Sequence, residues 1–424
     1  MSQADRDRLL YYSRKVKIFE FIYKEPEVHP STYLRIGQLF SSGLFPSLRH
    51  LSYDLDYYNK MSYFQIFLHL VSPLLDSLEL SDIKDVENTI VGPFLASLSS
   101  QMLRRIVLTN GKLSGDILKK SIVHFKHLRS IELLDAVSME NFVVWEVLGT
   151  LPSLEDVILL ETNPRLTHAQ GPKSSNSRSG GPRYFEALKS LHVTSSFIFI
   201  RHLLGFIDSP CLKSIEIYPF ISLFPDELKR EPEDLFTPSM TIISSKWSQS
   251  LENLVISSSP SGRTERYSIS KCLKLLKNLR NMQTFFLDWR MKTLDDDDEM
   301  MVMSWPKLKT LNLNQTQVSL LTLMEIAKNC PELRHLHIQL DTSYIPHFDT
   351  SSKSLHHSLE DLTVGRAHPS TISTKTTLEC QIKVARYLDL IFPYLKSIKS
   401  YDVFWSGIRD LVLLCQNASL SRVK

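Results

Sequence analysis

The sequence predicts an α/β fold: a leucine-rich-repeat solenoid, or horseshoe, with an inner parallel β-sheet and outer helices, built from irregular repeats of about 25–28 residues. Three observations carry that expectation. A six-position pattern, Pro-x-apolar-(Lys/Arg/Glu)-x-apolar, occurs as FPSLRHL (45–51), LPSLEDV (151–157), SPCLKSI (209–215), WPKLKTL (305–311), CPELRHL (330–336) and FPYLKSI (392–398). Looser copies lie between these, and helix-period segments separate neighbouring copies. Apolar spacing alone would prove little, because at 43% hydrophobic residues three fixed positions match at roughly 0.08 of all starts.

The strand copies come first. Without the proline the core returns as HLRSI (127–131), ALKSL (187–191), SLENL (250–254) and SLEDL (358–362). Still looser forms are VKIFEF (16–21), LLDSLEL (74–80), MLRRIVL (102–108) and MQTFFL (282–287). The first apolar positions are then 16, 48, 75, 103, 128, 154, 188, 212, 251, 282, 308, 333, 359 and 395. Their dominant separation, 25 to 28 residues, lies within the ~20–29 of a leucine-rich repeat. The helical halves include SMENFVVWEVLGT (138–150), LLTLMEIAKNC (320–330) and QIKVARYLDLIF (381–392), all apolar at helical spacing. Proline, with a fixed φ and no N–H, ends each helix and turns the chain into the next strand. Neither element hides its apolar face alone, so the units must stack.

This yields a single solenoid over 1–424 with residues 1–15 as an N-terminal cap. The Ser-, Gly- and Pro-rich stretch 163–183 reads as a flexible insertion, and 224–248 and 292–304 as two further insertions. Residues 402–424 read as a C-terminal capping helix. LDDDDEMM (294–301) lacks the spaced ligands and glycine of an EF-hand and reads as a solvated loop or helix start.

Composition narrows the function. Lys and Arg total 49 against 46 Asp and Glu, a net +3 mixed along the chain; this balance implies neither a nucleic-acid nor a membrane partner. Five scattered cysteines, never in a CxxC pair, fit small apolar thiols in a reducing compartment. The charged start MSQADRDRLLYY is unlike a signal peptide. A cytoplasmic or nuclear location is expected. No GxGxxG, GxxxxGK(S/T), GxSxG or HExxH occurs, and the adjacent His356 and His357 read as an exposed helix or loop feature. Hence no catalytic, cofactor-binding or metal-ligating residue is expected, and no enzyme.

The binding surface follows from strand geometry. Successive strand side chains alternate, so residues between the core leucines face the inner curve. One column reads Glu20, Ser52, Glu79, Val107, Glu132, Ile158, His192, Glu216, Val255, Phe286, Asn312, His337, Thr363 and Lys399. The next includes Leu134, Leu160, Tyr218, Asp288, Asn314 and Gln339. Acidic residues fill the first half, polar and basic residues the second, and an apolar strip crosses Ile158, Leu160 and Leu134. Glu79, Glu132, His192, Glu216, Tyr218, Phe286, Asn312, His337 and Lys399 are the candidate protein-binding residues of this concave face, with the aromatics as anchors.

The copies FPSLRHLSYDL, LPSLEDVILLE, SPCLKSIEIYP and CPELRHLHIQL, with the opening LLYYSRKVKIFEF, resemble fungal F-box proteins with leucine-rich repeats. The resemblance implies a non-enzymatic protein-protein interaction module, the substrate-recognition part of an F-box type cullin-RING ubiquitin ligase subunit. Only fifteen residues precede Val16, without a Leu-Pro-x-Glu-type opening, so no F-box residue is carried over. A cullin-ligase adaptor is then a partner where an F-box is supplied upstream. The alternative is a stand-alone repeat scaffold or regulator unrelated to ubiquitination.

Overall fold

A computed structural model describes residues 2–21, 35, 44–54, 72–83, 88–98, 102–111, 115–135, 142–161, 184–220, 232–257, 270–288, 305–346, 357–365, 378–400 and 402–423. Where the sequence predicts one array, the chain divides into two compact units, Met1–Leu212 and Lys213–Lys424. Each is an α/β solenoid.

The first unit runs α1 (Gln3–Ser13), β1 (Ile18–Phe21), β2 (His50–Asp54), β3 (Ser77–Ser81), α2 (Asn88–Ser97), β4 (Arg105–Thr109), α3 (Gly115–Ile122), β5 (Ser130–Leu134), α4 (Phe142–Gly149), β6 (Asp156–Leu160), β7 (Ser190–Ser196) and α5 (Phe197–Phe206). The second runs β8 (Ser214–Phe220), α6 (Pro232–Lys246), β9 (Asn253–Ser257), α7 (Ser270–Leu276), β10 (Thr284–Asp288), β11 (Thr310–Ser319), α8 (Leu320–Asn329), β12 (His335–Asp341), β13 (Asp361–Val364), α9 (Leu378–Ile391), β14 (Ser397–Ser400) and α10 (Val403–Val423). Every strand starts two residues after the first apolar position of its copy, as β2 follows Leu48 and β11 follows Leu308. Within each unit the strands pair in parallel with their sequence neighbours.

The motif explains the turn. The carbonyl of the residue before proline accepts the N–H of the first leucine: Phe45 from Leu48 (3.1 Å), Trp305 from Leu308 (3.0 Å), Cys330 from Leu333 (3.1 Å) and Phe392 from Leu395 (3.1 Å). Proline thereby occupies the second position of a four-residue turn, where its fixed φ is already correct. The charged residue after that leucine links the rungs. The Arg49 carbonyl accepts from the N–H groups of Asp76 and Ser77, and the Lys309 carbonyl from those of Arg334 and His335. Its side chain continues the link: Lys189 meets Glu155 at 2.9 Å, Lys213 meets Glu252 at 2.8 Å and Lys396 meets Glu360 at 2.9 Å.

Leucine columns form the core. Leu51, Leu78, Ile106, Ile131, Val157 and Leu191 stack in register in the first unit. Ile215, Leu254, Phe285, Leu311, Leu336, Leu362 and Ile398 do so in the second. All are buried, each worth about 1.5–3 kcal/mol of transfer free energy. The helices close the other side, and Ser196 and Ser319 cap α5 and α8 by accepting the N–H groups of Phe199 and Thr322.

Three sequence expectations are corrected. The stretch 224–248 was expected as an insertion, yet α6 fills Pro232–Lys246 and, with the residue after it, buries Phe236, Met240, Ile243 and Trp247. That helical period outweighs the prolines; Pro232 opens the helix, where its missing N–H costs nothing, and Pro238 is accommodated inside it. His357 is buried at 4% exposure rather than exposed. In β11 the register shifts between Leu313 and Gln317, so Gln317 rather than Asn314 lies opposite Gln339. The insertions 163–183 and 292–304, with the aspartate run, lie outside the described residues. Helix α10 follows β14 and buries Trp405, Ile408 and Val412. Helix α1 buries only Ser13.

Candidate functional site

The burial pattern alternates strictly in β3, β5 and β10, among others. One face is sealed by helices; the other carries the residues between the leucines. Within each unit the register brings that predicted column into a row. In the first unit Glu20, Ser52, Glu79, Val107, Glu132, Ile158 and His192 are successive partners. In the second, Glu216, Val255, Phe286, Asn312, His337, Thr363 and Lys399 are. Lys399 is exposed, and Val107 is the buried exception at 4%. Glu79, Glu132, His192, Glu216, Phe286, Asn312 and His337 are half-buried. Tyr218 lies one step farther along β8, also half-buried.

Several of these side chains are already engaged. Arg105 donates to Glu132 Oε1 through Nη2 at 2.7 Å and Nε at 3.1 Å. Sequence inspection places Glu132 in an acidic stretch but does not reveal this cross-strand arginine, 27 residues away. Tyr218 donates its hydroxyl to Glu216 Oε2 at 3.3 Å, and burial together with that carboxylate raises the phenol's pKa. Asn312 Oδ1 accepts the Asn314 N–H at 3.1 Å. Burial lowers the pKa of His337, opposed by the nearby Asp288 charge. At the leading edge of the same strands His335 Nδ1 lies 2.9 Å from Asp361 Oδ2.

The second unit's face is therefore rich in neutral hydrogen-bonding groups beside two aromatics, Tyr218 and Phe286. The first unit's face groups carboxylates around the apolar trio Leu134, Ile158 and Leu160, all half-buried. Among the described residues no cluster of three or more His, Cys, Asp or Glu has the geometry of a metal site, and no helix is long and apolar enough to cross a membrane. Of the thiols, Cys330 is buried, with its pKa pushed up to about 11, while Cys211 is exposed. Among the described residues this arrangement presents an extended contact surface.

No protein-family model matches the chain, and no curated protein matches it in sequence. Among the solved structures that resemble it in backbone architecture are the following two. Yeast Rad7, crystallised in complex with Elc1, is 14% identical, covering 81% of each chain at a TM-score of 0.34. A structural-genomics target from Bacteroides fragilis is 12% identical at a TM-score of 0.31; the match covers 58% of this chain and spans 61% of that one. Both are likenesses of fold, and no binding residue is transferred from either.

Proposed function

We propose that the chain is a non-enzymatic protein-protein interaction module that reads its partner on the sheet face opposite the helices. One observation carries this reading: within each unit, residues the core does not need lie in register, rung after rung, as a row of mixed chemistry. A solvated sheet face with half-buried apolar and polar groups is a surface for another protein's side chains. The finer reading is the substrate-recognition part of a cullin-RING ubiquitin ligase, acting in the cytoplasm or nucleus. Its support is the resemblance of the repeats to F-box leucine-rich-repeat proteins.

The test is affinity purification of the full chain from cells with and without proteasome inhibition. Recovery of a cullin-ligase adaptor, with further proteins that accumulate only when the proteasome is blocked, supports the ligase reading. Recovery of a stable partner set without any adaptor favours a stand-alone scaffold. A photo-crosslinking amino acid in place of Phe286 or His192 decides the coarser claim, since partners bound elsewhere would leave both positions uncrosslinked.

A further inference from the structure

Within the first unit, strands β4 to β7 carry a feature that the row alone does not explain. Leu134 and Leu160 are register partners, and Ile158 precedes Leu160 by two residues on the same face. Together they form a small apolar plateau on a surface where alternation would put polar side chains. Carboxylates surround it. Glu132 pairs with Ile158 across the strands, and Asp156 opens β6 on the same face, half-buried. Asp135 and Glu161 stand where β5 and β6 end. Asp135 holds φ at 52°, its N–H donating to the Leu160 carbonyl at 2.7 Å. Glu161 Oε2 accepts from the Ser195 hydroxyl at 2.6 Å. At the face positions of β4 to β7, together with Asp135 and Glu161, Arg105 is the one lysine or arginine against Glu132, Asp135, Asp156 and Glu161, so the balance of these positions is 1 − 4 = −3. At the strand entries, away from the plateau, Arg104, Arg129 and Lys189 stand with Glu155. The whole chain carries +3. The negative charge at this plateau is thus a local feature, opposite in sign to the molecule.

We propose that this face is a docking surface for a segment of a partner protein in which apolar side chains are flanked by lysine or arginine. The apolar residues settle on Ile158, Leu134 and Leu160, and the flanking cations meet the surrounding carboxylates. An apolar centre inside a charged rim is the anatomy of a specific interface. Charge complementarity selects the occupant. A second copy of the chain laid face to face would set −3 against −3, and a phosphate backbone would meet the same repulsion. The inference rests on the protein-binding reading above and deepens it.

The probes are three short synthetic peptides, titrated against the full chain by fluorescence anisotropy at low and high salt. One has a leucine centre with lysine flanks, one the same centre with glutamate flanks, and one a serine centre with lysine flanks. The first is expected to bind, more tightly at low salt, the second not at all and the third several-fold more weakly. Asp135→Asn with Glu161→Gln is expected to weaken the first peptide at least fivefold and to flatten its salt dependence. Asparagine tolerates the positive φ at 135, and Asp156→Asn, at an ordinary strand position, is the second variant should that pair fail to fold. Ile158→Thr is expected to weaken binding with the salt dependence kept. Equal binding of the glutamate-flanked peptide, binding indifferent to all the variants, or no binding by any probe overturns the inference. If the peptides fail while a crosslinker at Phe286 still captures a protein, the interaction reading survives and this inference alone falls. If both fail, both fall.

Discussion

His357 shows how one side chain can tie a repeat together and make it sensitive to acid. Its Nε2–H donates to the Cys330 carbonyl at 2.8 Å, and its Nδ1 accepts the Leu359 N–H at 3.1 Å. Both ring nitrogens are satisfied only in the neutral ring, and a proton on Nδ1 would confront a backbone donor. Burial accordingly lowers its pKa from the ordinary 6.5, partly opposed by the Cys330 carbonyl. Burial lowers His202 as well. Because the unfolded chain takes up protons at a higher pH than the folded one, stability is complete above about pH 6.5. It declines as the pH falls from there toward the folded value. The melting temperature is therefore expected to fall between pH 7.5 and 5.5. His357→Gln, which retains a donor to Cys330 but does not titrate, is expected to show a shallower fall in a thermal melt followed by circular dichroism. An equal slope in both proteins would refute the assignment.

At the scale of elements, the second unit spans a step in which no helix is described between β12 and β13. Tyr387 of α9 reaches instead to α8, donating its hydroxyl to the Leu320 carbonyl 67 residues earlier in the chain. The tyrosine is 2% exposed and Leu320 is buried, so this bond forms out of contact with water. Tyr387→Phe keeps the ring and removes this bond while the Leu320 carbonyl keeps its helical partner, an expected loss of about 0.5–1.5 kcal/mol. Urea unfolding measures it, and a change below a few tenths would show the bond to be dispensable. Nothing in the string QIKVARYLDLIF distinguishes this tyrosine from an ordinary apolar-face residue. The strands were legible because leucine spacing follows directly from one turn, one rung and one alternation. Helix α6 was hidden by three prolines and a run of charges, although Phe236, Met240, Ile243 and Trp247 keep helical spacing. The face column was legible wherever each strand keeps its alternation. It was lost at Asn314, where β11 inserts extra residues, and the Arg105–Glu132 pair was invisible because it depends on which strands become neighbours.

At the scale of the molecule, a repeat array gains its stability from nearest-neighbour interfaces, so damage should be local before it is global. Leu311 is the place to test this. It is 1% exposed, and its register partners are Phe285 on β10 and Leu336 on β12. Leu311→Asp buries a charge with no partner in an apolar column, a penalty of several kcal/mol and comparable with the roughly 5–15 kcal/mol net stability of a domain. Because the chain divides into two compact units, the penalty falls on the second. Hydrogen exchange is expected to show protection lost across β10, β11 and β12, while the amides of β3 to β6 exchange at the wild-type rate. If the interaction reading is right, a crosslinker at His192 in this variant should still capture its partner, whereas one at Phe286 should not. Uniform loss of protection along the chain would mean that the two units unfold as one cooperative body.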